Sequence, residues 1–283
     1  MAVKKVTIRD LMNMKKSREK IVALSLYDYP TAYFADRAGV DMILVGDGSV
    51  GMTALGYNNT VPVTMDEMII FCKAVARASE RALVMGDMPF MSYQNVDDAL
   101  KNAGRFMKES GIDAVKLEGG REVGDRVKTI SEAGIPVCGH IGLTPQSASL
   151  SGGYKVQGKN AESAMKILDD AIAIEKSGAF AVVIEFATTE VAQIVTEKLS
   201  IPVFGWGSGP YTDGIGLNIA DVLGMSVGLK PSFAKEFADL SKSMLDALTN
   251  YGKEIREKKF PEDKHTIHMD KIEYEKLITM KGD

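Results

Sequence analysis

Residues 42–47 read Met42-Ile43-Leu44-Val45-Gly46-Asp47, and residues 82–87 read Ala82-Leu83-Val84-Met85-Gly86-Asp87. Each is a short apolar run closed by Gly-Asp. A run of strand length that is apolar on both faces suits a parallel strand covered by helices. Working outward, the same kind of run recurs at Ile21–Asp28, Ala114–Glu118, Val137–Gly142, Ala181–Glu185 and Val203–Gly207. A weaker run near Val227–Lys230 is taken as the eighth.

Longer amphipathic stretches separate these runs. Thr64-Met65-Asp66-Glu67 has the capping-box pattern, and apolar residues follow at helical spacing to about Glu80. Asn95 is suited to cap a helix reaching Ser110, and 161–177 and 190–199 read as further helices. Gly39, Gly111, Gly134 and Gly178 each close a helical stretch a few residues before a strand, the position where a left-handed residue ends a helix. No Pro- or Ser-rich linker divides the chain. About eight βα units in 283 residues match a closed (β/α)8 TIM barrel, an α/β fold of typically ~250 residues. The alternative, a doubly wound open sheet, usually carries a Gly-rich nucleotide turn after its first strand, and the segment after Leu24-Ser25 lacks one. The chain 1–283 therefore reads as a single barrel domain with N-terminal and C-terminal helical extensions. The C-terminal extension is a helix over 232–258 followed by a charged tail, 259–283.

Hydrophobic residues make up 45% of the chain and charged residues 25%, enough for a large core. A formal net charge of −4 gives no basic footprint for nucleic acid or an anionic membrane surface. No apolar run approaches the ~18 residues of a membrane span, and the N-terminus shows no secretory pattern. The two cysteines, Cys72 and Cys138, lie in apolar surroundings in different elements, which fits a reducing cytoplasm.

Polar residues gather where the strands end: Asp47, Asp87, Glu118, His140 and Glu185 close five consecutive strands. In a barrel those ends share the rim that carries active sites. A single Asp at a strand end often only caps a helix or makes a turn. Five in register point instead to function. Facing carboxylates repel, and a divalent cation relieves them; oxygen donors without a thiolate pair suit Mg2+, with Mn2+ or Co2+ as alternatives. Lys116 and Glu118 share a strand face, either as a structural ion pair or as a site for a substrate carboxylate. His140 is either a core histidine or a substrate hydrogen-bond partner. Glu185, ending a strongly apolar run, is either a structural acid or a general base. The Gly205–Gly209 segment suits a tight turn or a close ligand approach, and Ser151–Tyr154 with Gly158 suits a flap over the rim. His265 and His268 read as surface residues.

Taken together, Leu44-Val45-Gly46-Asp47, Pro62-Val63-Thr64, 87–91, Lys116-Leu117-Glu118-Gly119-Gly120, 136–146, 152–158 and Thr212-Asp213-Gly214 resemble the ketopantoate hydroxymethyltransferase family, in order over residues 5–260. The resemblance implies a (β/α)8 barrel assembled as a homodecamer. It also implies transfer of a one-carbon unit from 5,10-methylenetetrahydrofolate to 3-methyl-2-oxobutanoate, giving 2-dehydropantoate on the route to pantothenate. Carried over residue by residue, Asp47 and Asp87 ligate one Mg2+ per subunit and Glu118 holds it through water. Asp47, Ser49, Asp87, Lys116 and His140 line the oxo acid, and Glu185 is the base. The chain departs from the family pattern in four places: an extra residue in Asp47-Gly48-Ser49-Val50-Gly51-Met52, Trp206 in place of a smaller residue, Phe186-Ala187-Thr188 after the base, and Ala220-Asp221 where a His-Asp pair is expected. Two further readings stand beside this one. The first is a metal-dependent aldolase or lyase acting on another 2-oxo acid. The second is a catalytically silent barrel.

Overall fold

The computed structural model describes residues 3–149, 152–228 and 230–282. Eight parallel strands close into a barrel in sequence order. They are β1 (Ile21–Ser25), β2 (Met42–Val45), β3 (Leu83–Asp87), β4 (Ala114–Glu118), β5 (Val137–Gly142), β6 (Ala181–Glu185), β7 (Val203–Trp206) and β8 (Gly214–Asn218). Among the described residues the α-helices are α1 (Ile8–Ser17), α2 (Tyr29–Arg37), α3 (Met65–Ala78), α4 (Val96–Arg105), α5 (Gly124–Glu132), α6 (Ala161–Lys176), α7 (Thr189–Lys198), α8 (Ile219–Leu223), α9 (Leu240–Arg256) and α10 (Lys271–Lys281).

The local signals act as physical chemistry requires. Thr64 and Glu67 exchange hydrogen bonds at the start of α3, and the Asn95 side chain accepts from Asp98 N–H at the start of α4. Gly39, Gly111, Gly134 and Gly178 all adopt positive φ where helices end. Alternation along the strands divides the core in two. Residues such as Ile43, Val84, Val115, Val182 and Val203 face the helices. Ile21, Ala23, Met42, Leu44, Leu83, Met85, Ala114, Cys138, Ala181, Val183, Phe204 and Trp206 fill the barrel interior. The segment leading into α1, with α1 itself, closes the amino-terminal mouth. Val6 and Leu11 join the interior cluster, and Val6 N–H donates to Arg81 O (2.7 Å) just before β3. Lys15 pairs with Asp213 (2.6 Å) just before β8.

The eighth strand differs from the expectation. It is Gly214–Asn218, paired with both β7 and β1, and not the run near Val227–Lys230. Leu229 of that run lies outside the described residues; Val227 is fully exposed and Gly228 turns the chain at φ 98°. The glycines of β8 concealed it. A Cβ on Gly214 would meet Phe204 Cδ1 at 2.5 Å, and one on Gly216 would meet the Trp206 indole at 2.2 Å. The aromatic side chains of β7 fill the interior volume that β8 leaves free.

The chain forms two compact units, 1–237 and 238–283. The second contains α9, with Leu245, Leu248, Tyr251 and Ile255 at helical spacing, and α10 within the charged tail. The helix expected over 232–258 thus begins at Leu240. His265 and His268 are exposed.

Candidate active site

Strand register brings the polar residues into one layer at the carboxyl-terminal rim. Asp87 lies across from Lys116, Glu118 from His140, and Glu185 from Trp206. Lys116, Asp87 and His140 are each only 2% exposed, so their contacts decide their charge. Lys116 Nζ is 2.8 Å from Asp87 Oδ1 and 3.0 Å from His140 Nδ1. Burial alone would lower the Lys116 pKa, but Asp87, Glu118 and Asp47 hold it above the ordinary value, so the group is an ammonium. As an ammonium it donates to His140 Nδ1, which leaves the proton of a neutral ring on Nε2. His140 Nε2 lies 3.1 Å from Glu185 Oε2, close but off line for a hydrogen bond. His140 Nδ1 is also 3.4 Å from Glu118 Oε1. Burial and Lys116 both oppose an imidazolium, yet Glu118 and Glu185 outweigh them and raise the His140 pKa. Close contacts therefore link Asp87, Lys116, His140 and Glu185 in turn around β3 to β6, the last of them short of a hydrogen bond.

Asp47 joins this layer from the end of β2. Its N–H points at Asp87 Oδ2 (3.4 Å), and its Oδ2 accepts from Gln146 Nε2 (2.7 Å). Burial, then Asp87 and Glu118, drive its pKa well above the carboxylate range, against the opposing pull of Lys116 and Gln146. Ser49 stands on a π-helical turn, Gly48–Ala54, in which Leu55 N–H reaches back to Val50 O. Such a turn takes up one residue more than an α-turn. Ser49 Oγ donates to Asn218 Oδ1 (3.2 Å), leaving Ser25 to donate into Ser49 Oγ (2.7 Å).

The residues expected at the site thus converge on one rim. Several others belong with them. Gln146 donates through its backbone to Glu118 Oε2 (3.0 Å) and through its side chain to Met88 O (2.9 Å) as well as Asp47. Its Oε1 accepts from the Tyr93 hydroxyl. Burial, Glu118 and Asp87 push the Tyr93 phenol up, so it remains a donor. Tyr154, on the 152–158 segment, is half exposed, and its pKa is raised by burial and then by Glu185, Asp47 and Glu118. Ser151 of the expected flap lies outside the described residues. Gln157 ties the segment down, donating to Phe186 O (2.8 Å) and accepting from Thr188 N–H (3.0 Å). Phe186, directly after Glu185, holds the left-handed φ of 46°, a strained value for a residue with a side chain. The Thr144-Pro145-Gln146 segment was a visible signal for Gln146. Tyr93, Ser25 and Asn218 carried none.

As the side chains stand, no three carboxylate, imidazole or thiol groups among the described residues converge into a ready-made ion site. Lys116 sits against Asp87 instead. The donors nevertheless suit a hard cation. Glu118 Oε1 is buried without a hydrogen bond, Asp87 Oδ1 has only its ion pair with Lys116, and the carboxylates outnumber the ammonium. Burial pushes the Cys138 thiol up to about 12, so it is a packing residue and not a nucleophile.

A closed parallel barrel with acids, a lysine and an imidazole massed at its carboxyl-terminal rim is the architecture of a (β/α)8-barrel enzyme. Solved structures agree on the fold. A 2,3-dimethylmalate lyase of the PEP mutase/isocitrate lyase superfamily aligns with TM-score 0.60 and 15% identity over 98% of both chains. A phosphonopyruvate hydrolase in complex with oxalate and Mg++ aligns with TM-score 0.60 and 12% identity, over 97% of this chain and 96% of its own. Sequence comparison goes further. The pattern of the ketopantoate hydroxymethyltransferases matches residues 5–263. The 3-methyl-2-oxobutanoate hydroxymethyltransferase of Carboxydothermus hydrogenoformans is 52% identical over 266 residues, 94% of this chain and 96% of the relative. That of Syntrophomonas wolfei is 51% identical over 262 residues, 92% and 95% of the two chains. The chain belongs to the ketopantoate hydroxymethyltransferase family, whose members are transferase enzymes.

Proposed function

We propose that the rim transfers a hydroxymethyl unit from 5,10-methylenetetrahydrofolate to 3-methyl-2-oxobutanoate, giving 2-dehydropantoate. The observation that carries this reading is the buried chain from Asp87 through Lys116 and His140 to Glu185, with Asp47 beside it. The family membership and the names of the relatives support the same acceptor and the same reaction. The oxalate and Mg++ of the phosphonopyruvate hydrolase, on the same fold, support a two-oxygen acid together with a divalent ion.

Each residue then has a task. Lys116 compensates the substrate carboxylate in a setting where water is excluded. Asp47 and Asp87 would hold Mg2+, with Glu118 as an outer partner, and the bound ion would supply electrostatic stabilisation for charge developing on the keto oxygen. Glu185, the most accessible of the group at 22% side-chain exposure, takes the proton from C3. His140 bridges Lys116 and Glu185 and orients both. Ser49, held between Ser25 and Asn218, would turn its one O–H proton from Asn218 to the oxo acid when the acid binds. The deprotonated C3 forms its bond to the one-carbon unit as both bonds from that unit to the folate nitrogens break; one water supplies the product hydroxyl, and its other proton and the proton taken from C3 end on the two folate nitrogens. Self-association as a homodecamer belongs to this reading, and a neighbouring copy is a natural cover for the apolar stripe of α9.

The test is product formation. Protein, Mg2+, 3-methyl-2-oxobutanoate and 5,10-methylenetetrahydrofolate are combined, and 2-dehydropantoate is followed by NMR. The reading expects product only when both substrates are present. Exchange of the C3 proton without folate-dependent product would favour a lyase or aldolase instead.

A further inference from the structure

Trp206 is the only tryptophan of the chain. β7 sends Phe204 and Trp206 into the barrel interior, and strand register sets Trp206 directly beside Glu185. The indole leans the other way, over β8. A Cβ built on Gly216 would come within 2.2 Å of its Cη2 and Cζ2 and 2.4 Å of its Cε2. The ring therefore occupies the space that a side chain at position 216 would claim. One interior layer closer to the rim stands Asn218, held by Ser49 and through it by Ser25. Phe186 N–H donates to Trp206 O (2.8 Å), fixing the end of β7 against the residue that follows Glu185. Trp206 retains 9% exposure, so it is packed in place with an edge uncovered.

The rest follows from where an oxo acid lies, and so this inference rests on the function proposed above. Its charged end is drawn to Lys116 and the acids of β2 to β4. Its C3 must meet Glu185 on β6. The substituents on C3 then fall on the β6 to β8 side, where the interior side chain at that level is Trp206, Gly216 contributes none and Asn218 stands one layer nearer the rim. We propose that Trp206, seated on Gly216, is the specificity-determining wall against the C3 substituents and limits the substrate to 2-oxo acids with small branched side chains. A rigid indole backed by the β8 backbone cannot yield to a longer chain. In an apolar pocket one methylene changes discrimination by about 10- to 200-fold.

Two measurements on the full chain with Mg2+ test this. The first uses the wild-type protein and its single tryptophan. Emission should change saturably on titration with 3-methyl-2-oxobutanoate, and not with 3-methyl-2-oxopentanoate, one methylene longer, over the same concentrations. The second compares Trp206→Leu with wild type by the rate of C3 proton exchange in D2O. The ratio of kcat/KM for the longer acid over the shorter should rise at least about tenfold, the lower bound for one methylene. If the wild type exchanges the proton of 3-methyl-2-oxobutanoate while its emission stays constant and Trp206→Leu leaves the ratio within twofold, the wall is elsewhere and the proposed function stands. If no 2-oxo acid exchanges or binds, both fall together. Should Trp206→Leu fail to fold, the wild-type titration decides alone.

Discussion

Gln146→Ala is the substitution whose consequence follows most directly from the site. The Gln146 side chain donates to Asp47 Oδ2 at 2.7 Å and to Met88 O at 2.9 Å, and accepts from Tyr93, all in a residue 5% exposed. A hydrogen bond contributes about 0.5–1.5 kcal/mol net, and the raised pKa of Asp47 makes it a neutral partner in chelator. The three together amount to about 1.5–4.5 kcal/mol, with the lower end expected if water enters the vacated space. The backbone bond from Gln146 N–H to Glu118 survives the change, so the loss is confined to the side chain. Urea unfolding in the presence of chelator measures the loss without interference from bound ion. Gln146→Met, of similar volume, separates lost hydrogen bonds from the cavity. Losing the Gln146 donor also removes one of the influences that lower the Asp47 pKa, so Asp47 should titrate higher still. A loss under about 1 kcal/mol in both variants would refute the claim that Gln146 knits Asp47 to its surroundings.

Three further outcomes are expected. Chelation should abolish C3 proton exchange, and Mg2+ should restore it; full exchange in chelator would remove the ion from the account. Gly142→Ala should destabilise the fold and cut activity, because position 142 has φ 87° and a Cβ there would lie 2.4 Å from Glu185 O, so the strand bearing the base must shift; thermal unfolding and activity read both effects. Asp10, held by Thr7 and Lys4 at the start of α1, should titrate near 2, below the ordinary 3.8. Its depressed folded value means its stabilising contribution is present above the unfolded pKa and lost as pH falls from about 4 towards 2. NMR titration should find that midpoint, and Thr7→Ala should move it upward.

The sequence disclosed those parts of the fold that depend on local patterns. β4, β5 and β6 have the boundaries read from their apolar runs, because β4 and β6 end abruptly in an acid and β5 in a glycine. The C-terminal glycines of the helices were equally legible. β8 was not, because its interior volume belongs to side chains of its neighbour. Gly214 and Gly216 interrupt the apolar run that marks the other strands, and Phe204 and Trp206 lie over them. The site divides the same way. Asp47, Asp87, Lys116, Glu118, His140 and Glu185 announce themselves by standing at strand ends. Tyr93 reaches Gln146 only through the closure of the barrel, and Asn218 was hidden with its strand. The π-helical turn after Asp47 carried no sign in the sequence.

The account depends most on Glu185 removing the C3 proton of an oxo acid bound beside Lys116 and Asp47. The direct measurement is loss of the C3–H signal of 3-methyl-2-oxobutanoate in D2O, without folate, for the wild-type protein and for Glu185→Gln. Mg2+ is present throughout, and circular dichroism verifies that both proteins are folded. Wild type should exchange the proton, and Glu185→Gln should be slower by at least about 100-fold, the scale of a lost general base. Equal rates in the two proteins would contradict the assignment of Glu185 as the base.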